Sequence, residues 1–461
     1  MTDTTAAPAG TPADPNALDP AVFSRTVRRG RDCGELKVGE MRASELVAEF
    51  GSPLYVIDET DAKTRAAEIL AAFQREFSRV GTEATVYYAG KAFLCIEVAR
   101  WMAELGLSVD VASGGELAVA LAAGVDPATI GFHGNNKSVS EIERAVAAGV
   151  GTIVLDSEIE IERVAAAAAA AGVRQRVRFR VNSGVHASTH DFLATSHEDQ
   201  KFGLPLNRAV DLAAQIRAHD SLEFVGLHCH IGSQIYATDG FRESARRLMS
   251  VYAELAVGGP VPELNLGGGF GIAYVSGDVP PVIDEVAADL ANIVKETADE
   301  YGIALPKVAF EPGRAIIGPA GLTLYTVGTT KPVAIDGGAT RLYVSVDGGM
   351  SDNARTALYD AQYQVRLANR RSDADAQLVR VVGKHCESGD IVVDHDHLPA
   401  DVAPGDLLAV PATGAYCWSL SSNYNYVPRP PVVAVRDGQA RVIVRGETEA
   451  DLLARNVEWS K

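Results

Sequence analysis

Cysteine is scarce in this chain: five residues in 461, at positions 33, 95, 229, 386 and 417. They are odd in number, widely scattered and include no C-x-x-C pair, which argues against a disulfide framework or a zinc site and for free thiols. Long apolar runs are missing too. None approaches the roughly 20 residues a bilayer span needs, and the start of the chain has neither the basic nor the apolar region of a signal peptide. The expectation is a cytoplasmic protein with no membrane partner. Positive charge is in short supply, with 42 Lys and Arg against 60 Asp and Glu and a net charge of −18. With no basic block to offset it, that charge repels nucleic acid and anionic membranes and leaves small molecules and other proteins as partners.

What is present is an ordinary globular composition, 47% apolar and 22% charged, long enough for two domains. Residues 1–20 are Ala, Pro, Thr and Asp with little to bury, and predict a disordered N-terminal tail. From residue 85 a regular beat sets in, with short β-branched runs alternating with Ala-rich helical stretches. The candidate strands are TVYYA (85–89), SVDVA (108–112), IGFH (130–133), TIVLD (152–156), RVRFRVN (176–182), EFVGLHCH (223–230), ELNL (263–266) and KVAFE (307–311). Eight strand-then-helix units match a (β/α)8 TIM barrel, although periodicity alone also allows a doubly wound sheet. After residue 320 strands punctuated by Gly, Pro and Asp predict a separate C-terminal β-rich domain of the sandwich or barrel type. The expected division is a tail (1–20), a segment contributing to the β domain (21–53), the barrel (54–320) and the β domain (321–461).

In such barrels the reactive residues gather at the C-terminal ends of the strands. Here the first strand ends in AGK, the sixth in HCHIGSQ, the seventh in NLGGGFG and the eighth in FEPGR. Lys91, His230, a glycine cluster, Glu311 and Arg314 would therefore converge on one mouth. Glycines 267, 268, 269 and 271 let backbone N–H groups approach an anion, although a tight turn would use the same residues. A lysine in a desolvated pocket has a depressed pKa and can form a Schiff base with an aldehyde, whereas most strand-end lysines merely snorkel. Glu311 could hold a protonated pyridine nitrogen, or simply pair with Arg314. His230 could lie against a cofactor ring or be a satisfied core histidine. The loop 182–203, with His186, His190 and His197, reads as a polar rim loop or lid. Its spacings fit no metal-ligand motif, so no metal is expected.

Together YYAGKAF, HCHIGSQ, NLGGGFG, FEPGR, CESGD and GAYCWSLSSNYN resemble the fold type III pyridoxal-phosphate-dependent decarboxylases, in order from about residue 34 to the end of the chain. The resemblance implies pyridoxal 5′-phosphate as cofactor, bound covalently by Lys91, with His230 packed on its ring and Glu311 at the ring nitrogen. The phosphate would be held by Gly267, Gly268, Gly269 and the backbone of Glu311, Pro312, Gly313 and Arg314, with Ser233 and Tyr416 nearby. Racemases of the same fold type carry an arginine at the ring nitrogen, so Glu311 favours decarboxylation.

It further implies a homodimer with shared active sites, in which Cys386, as the proton donor, and Glu387 reach into the second subunit. Taken alone, the pair reads as a free buried cysteine beside a surface glutamate. The pattern is most similar to the branch acting on meso-diaminopimelate, which leads to L-lysine and carbon dioxide. Arg314, Arg355 and Tyr359 match its substrate positions for the distal carboxylate, Glu387 matches that for the distal amine, and Tyr416 is a further substrate-binding position. Two other readings stay open: a relative acting on ornithine, arginine or carboxynorspermidine, and a non-catalytic binding homologue.

Overall fold

Each of the eight candidate strands is a strand of the fold. In a computed structural model, which describes residues 14–32, 34–185, 201–335 and 338–457, they are β1 (Ala84–Ala89), β2 (Ser108–Val111), β3 (Ile130–Phe132), β4 (Thr152–Leu155), β5 (Gln175–Asn182), β6 (Leu222–His228), β7 (Glu263–Asn265) and β8 (Lys307–Phe310). Every neighbouring pair is parallel, and β8 returns to β1 with Phe310 opposite Val86, so the sheet closes. Closure removes the doubly wound alternative, which would leave two open edges.

β1, β3 and β4 read as short apolar runs because parallel strands are buried on both faces, whereas β5 alternates arginines with Val177, Phe179 and Val181. The helices between them start and stop where local chemistry dictates. Val139–Ala148, for example, is opened by a reciprocal Ser138–Glu141 capping box and closed by Gly149 in the left-handed conformation. Between sheet and helices lies an aromatic core in which Phe73 stacks on Phe310 at 4.0 Å, with Phe77 and Phe270 beside them.

The chain divides into two compact units, residues 63–272 with 279–316, and residues 1–62 with 273–278 and 317–461. The first holds the barrel. The second is built on a sheet in the order Ile391–Pro399, Ala376–Val382, Thr340–Val346, Gly321–Ala334, Leu54–Asp58, Val432–Arg436 and Gln439–Val444. Leu54, Val56, Leu322, Leu324, Val433 and Val435 form its core with Phe23, Leu36 and Val38.

Two expectations are corrected here. Leu54–Asp58, put by the expected division at the start of the barrel segment although residues 34–58 could also give the β domain an early strand, is that strand, antiparallel to Gly321–Ala334 and parallel to Val432–Arg436. The end of the supposed tail is also ordered. Asn16 is buried and donates to the carbonyl of Ser372 at 2.8 Å, Arg366 donates to the carbonyl of Ala17 at 2.8 Å, and Arg371 pairs with Asp14 at 3.0 Å. These polar contacts add to the packing of Leu18 against the core. Residues 1–13 lie outside the described residues, as do residues 186–200 with the three histidines of the rim loop.

Candidate active site

Glu311 is the best-connected side chain at the barrel mouth. It stands directly after β8, is buried, and receives Nδ2 of Asn265 at 2.6 Å on Oε1. Nε2 of His228 lies 3.2 Å from the same oxygen, and Nε2 of His133 lies 3.3 Å from it. Burial opposes the charge, yet His228 and His133 outweigh it and hold the carboxyl well below the usual carboxylate range. His228 itself is pushed down to about 4 by burial. The structure therefore pairs Glu311 with histidines and an amide. Arg314, the alternative partner, instead donates through Nη2 to Oγ of Ser233 at 2.7 Å.

Asn265, the last residue of β7, also accepts from the N–H of Gly267 at 2.8 Å, and the N–H of Glu311 donates to the carbonyl of Gly267 at 2.9 Å. The glycine turn is thus bolted to the carboxylate. Gly267 has φ of 69°, and a Cβ on Gly268 would sit 2.0 Å from the carbonyl oxygen of Glu311, so neither position tolerates a side chain. The N–H of Gly268 donates to Nδ1 of His230 at 3.3 Å. Burial, with Lys91 nearby, keeps His230 neutral.

Lys91 sits one residue past the end of β1 in a short 3-10 turn, Gly90–Ala92, and is solvent-exposed. In the single chain this exposure matches the snorkelling alternative more than a desolvated pocket. Position sets Lys91 apart: β1 pairs with β8, so Lys91 and Glu311 come from the ends of adjacent strands. Lys91, His230, Ser233, Gly267, Gly268, Gly269, Glu311, Pro312, Gly313 and Arg314 all belong to the barrel unit.

The remaining expected residues belong to the β unit. Arg355 is buried, donates to the hydroxyl of Tyr363 at 2.5 Å, and lies over the rings of Tyr274 at 4.7 Å and Tyr416 at 6.0 Å. Tyr416 holds φ of 65°, a conformation uncommon outside glycine. Tyr359 is exposed. Cys386 and Glu387 are exposed at the tip of a turn pinned by Asp390, whose carboxylate accepts from the N–H groups of Met350 and His385 at 2.6 and 2.7 Å.

Asp110, His133, His228, Asn265, Tyr274 and Tyr363 were not assigned roles from the sequence. The signal for three of them was weak but present: Asp110, His228 and Asn265 are buried polar residues at or near the C-terminal ends of their strands. No metal was expected, and the fold brings donor atoms of His133, His228 and Glu311 within 4.8 Å of one another. They are 95 and 83 positions apart along the chain, beyond the reach of any local motif.

Residues 66–318 match the family described as the pyridoxal-binding domain of the pyridoxal-dependent decarboxylases. The chain is 52% identical over 449 residues to a diaminopimelate decarboxylase of Mycobacterium tuberculosis, covering 95% of this chain and 98% of the relative. It is 45% identical over 446 residues to one of Corynebacterium efficiens, covering 96% and 95%. A crystal structure of the M. jannaschii diaminopimelate decarboxylase in complex with L-lysine superposes with a TM-score of 0.85 at 32% identity, over 94% of this chain and 98% of that one. On the closed barrel, the buried carboxylate and the lysine at the ends of adjacent strands, and these near full-length likenesses, the chain belongs to the diaminopimelate decarboxylase family of pyridoxal-dependent decarboxylases.

Proposed function

We propose that this protein decarboxylates meso-2,6-diaminopimelate at its D-configured carbon to give L-lysine and carbon dioxide, with pyridoxal 5′-phosphate as cofactor, as a cytoplasmic homodimer. The observation that carries this reading is the buried, ionised Glu311 at the end of the strand beside the one that delivers Lys91.

The residues present fit the cofactor. An anion is in place for a pyridinium nitrogen, a primary amine for an aldehyde, and a side-chain-free glycine turn beside Arg314 and Ser233 for a phosphate. When bound, pyridoxal phosphate supplies an electron sink for the charge left as carbon dioxide departs. The chain does the rest. Glu311 keeps the ring nitrogen protonated, and neutral His230 offers a flat face without adding charge. Arg314, Arg355 and Tyr359 would take the distal carboxylate, Glu387 the distal ammonium, and Tyr416 would add a further substrate contact. Cys386 would hold the proton that replaces the carboxylate. Its exposure beside Glu387 in the single chain is what a residue serving a second copy's site requires, and supports the dimer.

The test is carbon dioxide release with added pyridoxal phosphate from meso-diaminopimelate, LL-diaminopimelate, L-lysine, L-ornithine and L-arginine, repeated with Lys91→Ala and Arg355→Ala. Release is expected from the meso isomer alone, abolished by the first change. The second lowers kcat/KM on the order of a hundredfold, the scale of an unpaired buried polar group. Preferential release from a substrate without a distal carboxylate would overturn the roles of Arg314 and Arg355, and silence on all five would favour a non-catalytic homologue.

A further inference from the structure

Asp110 has no part in the reading above, yet it is buried beside Glu311. It stands on β2, 5% exposed, and neither carboxylate oxygen has a hydrogen-bond donor in good geometry. Its Oδ1 lies 3.2 Å from Nε2 of His133, the same nitrogen that lies 3.3 Å from Oε1 of Glu311. One imidazole nitrogen therefore stands between two buried carboxylates. A lone pair aimed at two anions would be repelled, so that nitrogen carries its proton.

The position of His133 is fixed from outside the cluster. Lys137, itself buried, donates to the carbonyls of Gly134 at 2.6 Å and Val154 at 2.8 Å and pairs with Glu160 at 2.9 Å, which clamps the turn carrying His133. Two carboxylates this close cannot both remain ionised in a buried site without a cation between them. Other cations act on the pair only through space, Arg178 on Asp110 and Arg180 on Glu311. Arg178 is bound to Glu263 at 2.7 Å, Arg180 faces Asp156 at 3.8 Å, and His228 is kept neutral by burial. Glu116 also faces His133 and adds negative charge.

We propose that His133 is a positioning residue whose imidazolium, shared between Asp110 and Glu311, lets both carboxylates stay ionised, so that one net negative charge is left for the pyridinium nitrogen. The inference rests on the pyridoxal phosphate reading above. Electrostatics agree in direction. Burial alone would lower His133, but Glu311 and Asp110 outweigh it and push the imidazole up to about 9. Burial and then Glu311 push Asp110 up to about 6, which makes it the first of the two carboxyls to take a proton if the cation is lost. Without His133 the two would share a proton through the neutral range, and part of the time it would sit on Glu311.

The experiment compares the native protein, His133→Gln, Asp110→Asn and the double variant, each stripped of cofactor and titrated with pyridoxal phosphate between pH 6 and 8.5. Relative to the native protein, His133→Gln should bind on the order of tenfold more weakly at pH 6, equivalent to about one pKa unit. That ratio should fall toward one at pH 8.5, and Asp110→Asn in the double variant should remove the pH dependence. A native-like profile for His133→Gln, or a double variant as pH-dependent as the single, would overturn the proposal. Nitrogen-15 histidine spectra of the native protein give a second readout independent of any variant's folding. At least one buried imidazole should stay doubly protonated at pH 8, and its absence would equally overturn the proposal. If the native protein bound no pyridoxal phosphate, the cofactor reading would fail while these spectra still decided the charge of His133.

Discussion

Asn265 joins Glu311 to Gly267: one amide group donates to the carboxylate at 2.6 Å and accepts from the glycine N–H at 2.8 Å. The ring-nitrogen site and the phosphate turn therefore move together. Replacing Asn265 by Ala leaves a buried N–H without an acceptor, at about 1–3 kcal/mol, and frees the turn to drift from Glu311. A lower melting temperature and at least tenfold weaker pyridoxal phosphate binding are expected. Differential scanning fluorimetry and cofactor titration check this, and native values for both would contradict the link.

Cys386 is the exposed thiol among the described cysteines, whereas Cys95, Cys229 and Cys417 are buried. Burial pushes the Cys95 thiol up to about 11, further lowering its thiolate fraction. Brief treatment of the folded protein with iodoacetamide at pH 7.5 should modify Cys386 well before those three, as read by peptide mass spectrometry. Comparable labelling of all four would show that the turn pinned by Asp390 does not present Cys386 as described.

Asp352 gives the β unit a pH dependence of its own. Its carboxylate accepts from the hydroxyl of Tyr325 and from the N–H of Gly349 at 2.7 Å, yet burial dominates and raises its pKa to about 7. A carboxyl raised above its unfolded value of about 3.9 contributes stability that is complete below that value and is lost as pH rises through 7. The margin of the native chain over Asp352→Asn in denaturant unfolding should therefore shrink from pH 5 to pH 8. A constant or widening margin would refute the assignment.

The barrel was legible because each strand is a β-branched run closed by turn residues, and because strand ends can be counted. Lys91, His230, Gly267 and Glu311 could be found that way without knowing how the sheet closes. Asp110 and Asn265 could not, since a polar residue inside a strand has the same appearance whether it meets solvent, a partner strand or a buried carboxylate. The division put Leu54–Asp58 in the barrel segment for a related reason: four apolar residues and an aspartate specify a buried strand but not its neighbours. Residues 14–20 were misread as tail because their anchors, Arg366 and Arg371, lie about 350 positions away and leave no trace in local composition. Lys91 could be placed at a strand end, but its exposure could not be read, because it depends on the turn Gly90–Ala92.

The placement of Leu54–Asp58 between Gly321–Ala334 and Val432–Arg436 also orders events during synthesis. This strand leaves the ribosome more than 260 residues before its first partner, Gly321, exists. At bacterial elongation rates it waits roughly 15 to 50 seconds with its backbone donors and acceptors unpaired. All eight barrel strands are translated in that interval. Newly made chains are therefore most vulnerable to aggregation late, after the barrel can form but before the last third of the message has been read, and a chaperone that shelters the nascent N-terminus would protect them best.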